Sequence, residues 1–245
     1  MSALSANSVR IVAGACAILL SLIGTMVVAE GQQARKSKKS IKKLNAASVA
    51  AGIQRFYEKN AGFQADFTQV VKKRGIKRGI RRKGKVWLRK GKLGVASKKQ
   101  SAKPGKMRWD YPKEEIFYFS DGVTLWSYER RESLAIKLPV KNSRLYQATS
   151  YLVGQGNLAK DFHMQVVRSP VKGTTALKLK PKAGTGVMRS LTLIVDTKSF
   201  AVKASVLVDP LGDSTSLFFS KTRYQQIDDA VFEWTPPAGV RVKTL

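Results

Sequence analysis

The chain is short of cysteine, histidine and acid: its 245 residues include one Cys, one His and 16 Asp plus Glu, against 45 Lys plus Arg, for a net charge of +29. The single cysteine, Cys16, lies inside an uncharged apolar run. The remainder therefore has no disulfide and no thiol chemistry, and its core must hold it together. Ala13, Gly14 and Ala15 lack the large aliphatic residue that usually precedes a lipid-attached cysteine. With one histidine, only carboxylates are left to bind a cation, and the adjacent pair Asp228-Asp229 reads as a loop.

The shortages bear on catalysis too. His163 falls two residues from Asp161 in a strand-like stretch, so the two share a face. No Gly-x-Ser-x-Gly elbow or cysteine nucleophile accompanies them, and His163 reads as structural. Neither glycine-rich phosphate-binding pattern is present, and Gly154-Gln155-Gly156 reads as a helix stop. The expectation is a protein that is not an enzyme and uses neither cofactor nor metal.

What the chain does have is apolar material: 43% of its residues are hydrophobic, enough for a sizeable core. Ile11 to Ala29 run for 19 residues without a charge, ending with Val27 and Ala29 at the small-residue positions of a processing site. Residues 1–29 thus read as a secretory signal, with an uncleaved membrane anchor as the alternative. Either way the rest is exported. Residues 30–43 read as a solvated tether, since Gly31 to Lys43 hold six basic residues and no acid. Residues 44–245 read as one domain.

From Ile41 the apolar residues Ile41, Leu44, Val49, Ile53 and Phe56 follow a helical spacing that ends near Asn60 to Gly62. The period then becomes two. Phe63, Ala65 and Phe67 alternate with polar residues, as do Met107, Trp109 and Tyr111, and Leu134, Ile136 and Leu138. Ser120-Asp121-Gly122 predicts a tight hairpin turn. A second helix is predicted over 144–153, with Leu145, Ala148, Tyr151 and Leu152 on one face. Alternating stretches follow at 162–166, 177–179, 191–195, 202–208 and 217–219. About ten strands and two helices suggest one highly curved antiparallel sheet with helices on one side.

Two features remain. Between Asp66 and Asp110 there are 17 basic residues and no acid; the runs 72–85 and 92–103 are broken by glycines and read as solvated hairpin tips. Between Lys106 and Tyr128 lie seven aromatic residues, and the strand Ile116 to Phe119 is apolar on both faces. Such a strand is either covered on both sides or lines an interior that receives something apolar. A pI near 10.5 suits nucleic acid. The dense aromatic rows suit burial rather than base stacking, and export removes the chain from cytoplasmic RNA and DNA.

Five segments in order, FQADFTQ (63–69), KPGKMRWDY (103–111), SDGVTLWSY (120–128), LVG (152–154) and FEWTPPAGV (232–240), resemble the periplasmic outer-membrane lipoprotein carrier family, LolA, over about residues 41–242. The resemblance implies an unclosed, highly curved antiparallel β-barrel with helices forming a lid over an apolar cavity. It implies the periplasm as the compartment and acylated lipoproteins as cargo, taken from an ATP-driven release complex in the inner membrane and delivered to an outer-membrane receptor or membrane. A monomer is expected. The implied cavity wall is Phe63, Phe67, Trp87, Met107, Trp109, Phe117, Phe119 and Trp126, with Leu145 and Leu152 on the lid.

Lys103 stands where the family often has an arginine that ties strand to lid, so it is the candidate latch, a point charge in place of a planar fork. Met107 stands where an aromatic often lies. The segment from about Lys90 to Ala102 looks like an insertion. Lys72, Lys73, Arg81 and Arg82 are the candidate docking surface for anionic headgroups or an acidic partner. A carrier or sensor of other lipids, or a basic scaffold without acyl cargo, remain the alternative readings.

Overall fold

The computed structural model of the protein describes residues 44–91, 105–140, 157–183, 186 and 188–245. The signal and tether, Cys16, all of the Lys90 to Ala102 insertion past Gly91, Lys103, and the second helix with Leu145 and Leu152 lie outside the described residues.

The first helix, α1, spans Ala46–Lys59. Asn45 caps it: its side-chain oxygen accepts the Ser48 N–H at 2.8 Å, satisfying one of the free donors of the first turn. At the other end Asn60 Nδ2 donates to the Phe56 carbonyl at 2.7 Å. Its buried residues, Val49, Ala50, Gly52, Ile53 and Tyr57, form one stripe, as the helical spacing requires.

The strands follow as β1 (Gly62–Lys72), β2 (Ile80–Arg89), β3 (Lys106–Tyr111), β4 (Ile116–Ser120), β5 (Thr124–Glu129) and β6 (Leu134–Pro139). After a helical turn at Leu158–Asp161 come β7 (Phe162–Val167), β8 (Thr174–Pro181), β9 (Ser190–Asp196), β10 (Val202–Val208), β11 (Ser214–Arg223) and β12 (Arg241–Thr244). They form one sheet in the order β12-β6-β5-β4-β3-β2-β1-β11-β10-β9-β8-β7. Every pairing is antiparallel except β12 with β6, which is parallel. β12 and β7 are the two edges, and the sheet does not close.

Its curvature is visible in who meets whom. Val86, Met107 and Trp109 from one half of the sheet share a single hydrophobic cluster with Phe162, Leu177, Leu193 and Val202 from the other half, and α1 sits in the same cluster. A sheet must curl to bring strands so far apart in order onto one core. Bulges in β1 between Gln64 and Asp66, and in β10 between Val202 and Ala204, supply local bends.

Three local details refine the sequence reading. The β4–β5 connection is a loop over 121–124 rather than a two-residue turn: Ser120 pairs with Leu125, and Asp121 accepts the N–H groups of Val123 and Thr124 at 2.8 Å each. Gly122 alone there takes a positive φ, 95°. The basic run 72–85 is only partly a hairpin tip: Ile80, Arg81 and Arg82 pair in register with Val71, Val70 and Gln69. Glycine interrupts charge there but not the strand. At Gly84 a Cβ would stand 2.7 Å from the Phe67 ring and 2.0 Å from the Asp110 carbonyl, so its bare backbone lets Phe67 lie across β2.

Candidate functional site

Alternation gives the sheet two faces, and the structure clothes them differently. On the inner face Phe63, Phe67, Met107 and Trp109 are all buried against the cluster that contains α1. Phe67 packs edge-on to Trp109 and Tyr111 with centroids 4.9 and 5.0 Å away. Phe63 does the same with Phe219 at 5.2 Å. The Trp109 Nε1–H is buried with no hydrogen-bond partner among the described residues, a polar donor inside an apolar interior.

Helix α1 joins the same inner cluster and packs on β7 and β8. At Gly52 a Cβ would sit 2.5 Å from the Phe200 ring, so helix and ring approach as closely as the backbone permits. Phe200 reaches that position with φ at 64°, in the left-handed region. Its turn is held by the Asp196 carboxylate, which accepts the N–H groups of Lys198 and Ser199 at 3.0 and 2.8 Å. Those bonds hold Asp196 below the ordinary carboxylate range. Tyr57 provides a polar tie between α1 and the sheet: its hydroxyl accepts the Val202 N–H at 3.2 Å.

Burial raises the Tyr57 phenol well above its ordinary value, and burial pushes Tyr224, beside it, up to about 12. Tyr111 is raised chiefly by burial too. These groups are therefore neutral through the physiological range, and the face suits an apolar occupant. Where α1 ends, a cleft lined by Tyr57, Ala61, Gly62, Phe63 and Leu88 opens to the surface, too narrow in this conformation to admit even a water molecule.

Trp87, Phe117, Phe119 and Trp126 were expected on the same wall, and the structure corrects this. They occupy the opposite face, because each alternates with an inner-face neighbour. There the chain after Ile227 straps across them. Trp234 contacts Phe119, Trp126 and Tyr128 with centroids 5.2, 5.4 and 5.1 Å away. The Arg108 guanidinium lies 5.2 Å over Trp87 and 5.0 Å over Phe119, while binding both Asp110 oxygens at 2.9 Å. Asp229 takes Arg89 at 2.5 Å and also Lys106, and these cations hold its carboxyl well below the usual range. The pair Asp228-Asp229 is thus part of a strap anchor.

Of the basic candidates, Lys72, Lys73 and Arg81 are exposed and Arg82 is half-buried. Lys73 pairs with Asp213 at 2.6 Å. His163 is exposed on β7, while Asp161 accepts the Asn157 N–H at 3.3 Å. Sequence reasoning missed the roles of Tyr57, Gly52, Phe200 and the strap. Tyr57 was legible as one helical turn past Ile53, and FEWTPPAGV had been noticed without a structural role. The Gly52–Phe200 contact joins residues too far apart for any local pattern to carry it.

The family described as "Outer membrane lipoprotein carrier protein LolA" matches residues 98–235. An outer-membrane lipoprotein carrier protein of Chromobacterium violaceum is 25% identical over 199 residues, 80% of this chain and 87% of that protein. One of Yersinia pseudotuberculosis is 24% identical over 195 residues, 79% and 87% of the two chains. Among solved structures, a LolA superfamily protein of Nitrosomonas europaea has a TM-score of 0.40 at 13% identity, covering 78% of this chain and 98% of its own.

Proposed function

The chain belongs to the LolA family of outer membrane lipoprotein carriers, and from that premise we propose that it ferries lipoproteins from the inner to the outer membrane, sheltering their acyl chains beneath α1. Phe63, Phe67, Met107 and Trp109 are the proposed wall. The observation that carries this reading is the inner face itself: a continuous apolar surface drawn from both halves of the sheet, with α1 packed into the same cluster. Each methylene moved from water onto such a surface contributes about 0.8 kcal/mol, so an acyl chain is a strong ligand for it.

Binding and release need no bond made or broken. Acyl chains would take the place of α1 contacts, with the helix tilting off Phe200 and Tyr57 parting from the Val202 N–H. A lipoprotein release complex driven by ATP in the inner membrane would load the carrier, and an outer-membrane receptor or the membrane itself would unload it. In this reading residues 1–29 are removed or kept as an anchor, 30–43 tether, and 44–245 carry cargo through the periplasm as a monomer.

The test mixes the purified protein with a triacylated lipopeptide and with its deacylated form at high salt, where binding by charge alone is suppressed. Saturable, acyl-dependent binding is expected. Binding that vanishes in salt, or that ignores acylation, would overturn the reading in favour of a basic scaffold.

A further inference from the structure

The end of the sheet away from the α1 cleft carries a second surface. The connection from β1 to β2 (residues 73–79) and the turn from β10 to β11 (residues 209–213) stand side by side there. Lys73 Nζ meets Asp213 at 2.6 Å, and the Arg74 N–H donates to the same carboxylate at 2.8 Å. A Cβ built on Gly212 would stand 3.2 Å from Arg74 Cδ. Both turns are internally bonded. The Ile76 N–H donates to the Lys73 carbonyl at 3.0 Å, and the Asp213 N–H to the Asp209 carboxylate at 2.9 Å. The two tips therefore form one braced rim.

Three aliphatic side chains project from this rim into solvent: Ile76 is 59% exposed, Ile80 58% and Leu211 75%. Around them Lys72, Arg74, Lys77, Arg78, Arg81 and Lys83 are exposed as well. The nearby acids are occupied, Asp213 by Lys73 and the Arg74 N–H, Asp209 by backbone N–H of its own turn. Side chains as exposed as these gain little from burial in the sheet. They match a boundary that is anionic outside and apolar just beneath.

We propose that this braced rim docks the protein on an anionic lipid bilayer, with Ile76, Ile80 and Leu211 entering the headgroup–acyl boundary and the surrounding Lys and Arg contacting lipid phosphates. Basic residues supply attraction to the anionic surface, and buried aliphatic area supplies the part that salt cannot screen away. Nucleic acid fits less well, because residues 72–83 and 209–213 contain no aromatic ring on which a base could stack. β1 holds the rim roughly 30 Å from the end where α1 stops. A docked molecule thus keeps its α1 end in the aqueous phase, free for a protein partner.

The test uses the protein with the apolar leader 1–29 removed, and Cys16 with it, so that a polarity-sensitive fluorophore attaches at one engineered site: I76C, L211C, or K198C on the turn at the other end of β10. Vesicles of phosphatidylcholine alone are compared with vesicles that also contain phosphatidylglycerol. Blue-shifted emission is expected from I76C and L211C with the anionic vesicles only, and none from K198C. Each unpaired basic contact near such a surface is worth about five- to tenfold in partitioning. Neutralising Arg74, Lys77 and Arg78 to Gln should therefore lower vesicle binding by about a hundredfold or more at low salt.

The double variant I76D/I80D should reduce the blue shift at L211C while lipopeptide binding is unchanged, which separates this inference from the cargo reading. An unshifted I76C label, an equal shift at K198C, or vesicle binding indifferent to I76D/I80D would overturn the proposal. A response to polyglutamate in solution as large as that to vesicles would overturn it too, in favour of an acidic protein partner.

Discussion

The Trp234 indole lies almost flat on the Phe119 ring, with planes 5° apart and centroids 5.2 Å. Phe119 belongs to a strand whose other face carries Tyr118 into the interior, so the C-terminal strap is what makes a strand with rings on both faces tolerable in water. W234A exposes Phe119, Trp126 and Tyr128 together and should lower stability by about 2–4 kcal/mol. A urea midpoint measures it. Lipopeptide affinity of the folded fraction should stay near wild type, because the strap is on the face away from α1.

Gly52 and Phe200 set how closely α1 seats. G52A places a methyl group against the ring and should cost about 1–3 kcal/mol. F200A in the same chain removes the clash, so the double variant should be more stable than the sum of the two single effects predicts. Amide hydrogen exchange should show α1 protection falling further than that of β1 in G52A. Equal loss in both would mean that the helix does not open separately from the sheet.

The two faces also predict which tryptophan reports cargo. Trp109 lies in the inner cluster that α1 joins, and Trp126 lies outside beneath the strap. Lipopeptide should therefore change the emission of the W126F protein and leave that of W109F nearly unaltered. Because the Trp109 Nε1–H has no partner among the described residues, W109F gives up no hydrogen bond to them, and its stability loss should stay at about 1 kcal/mol. A retained response in W109F would place the cargo elsewhere.

Strap attachment should weaken in acid. Arg89 and Lys106 depress the folded-state pKa of Asp229, so its contribution to stability is present above the unfolded value of about 3.9 and is lost as pH falls through the folded value. Since the group is solvent-exposed, the effect is small and salt-sensitive. The melting temperature of wild type should exceed that of D229N at neutral pH, and the gap should close at pH values well below 4. A gap that persists there would mean that Asp229 acts by packing and not by charge.

Much of the architecture was legible along the chain. Period-two runs at 63–67, 107–111 and 191–195 located strands, and the spacing of Val49, Ile53 and Phe56 located α1. Phe63, Phe67, Met107 and Trp109 came out together in the inner cluster that α1 joins, although nothing local distinguished them from Trp87, Phe117, Phe119 and Trp126.

Alternation determines which residues share a face, because successive side chains on a strand point opposite ways, but it treats the two faces as equivalent. That much the sequence determined by itself, along with the helix stripe, the abundance of positive charge and the order of motifs that marks the family. Only the tertiary structure decided which face is interior. α1 covers one side of the sheet, the strap after Ile227 covers the other, and both choices rest on contacts such as Gly52 with Phe200 and Phe119 with Trp234 that join distant parts of the chain. The pairing of Lys73 with Asp213 is of the same kind, and it brings two separate exposed turns together into one rim.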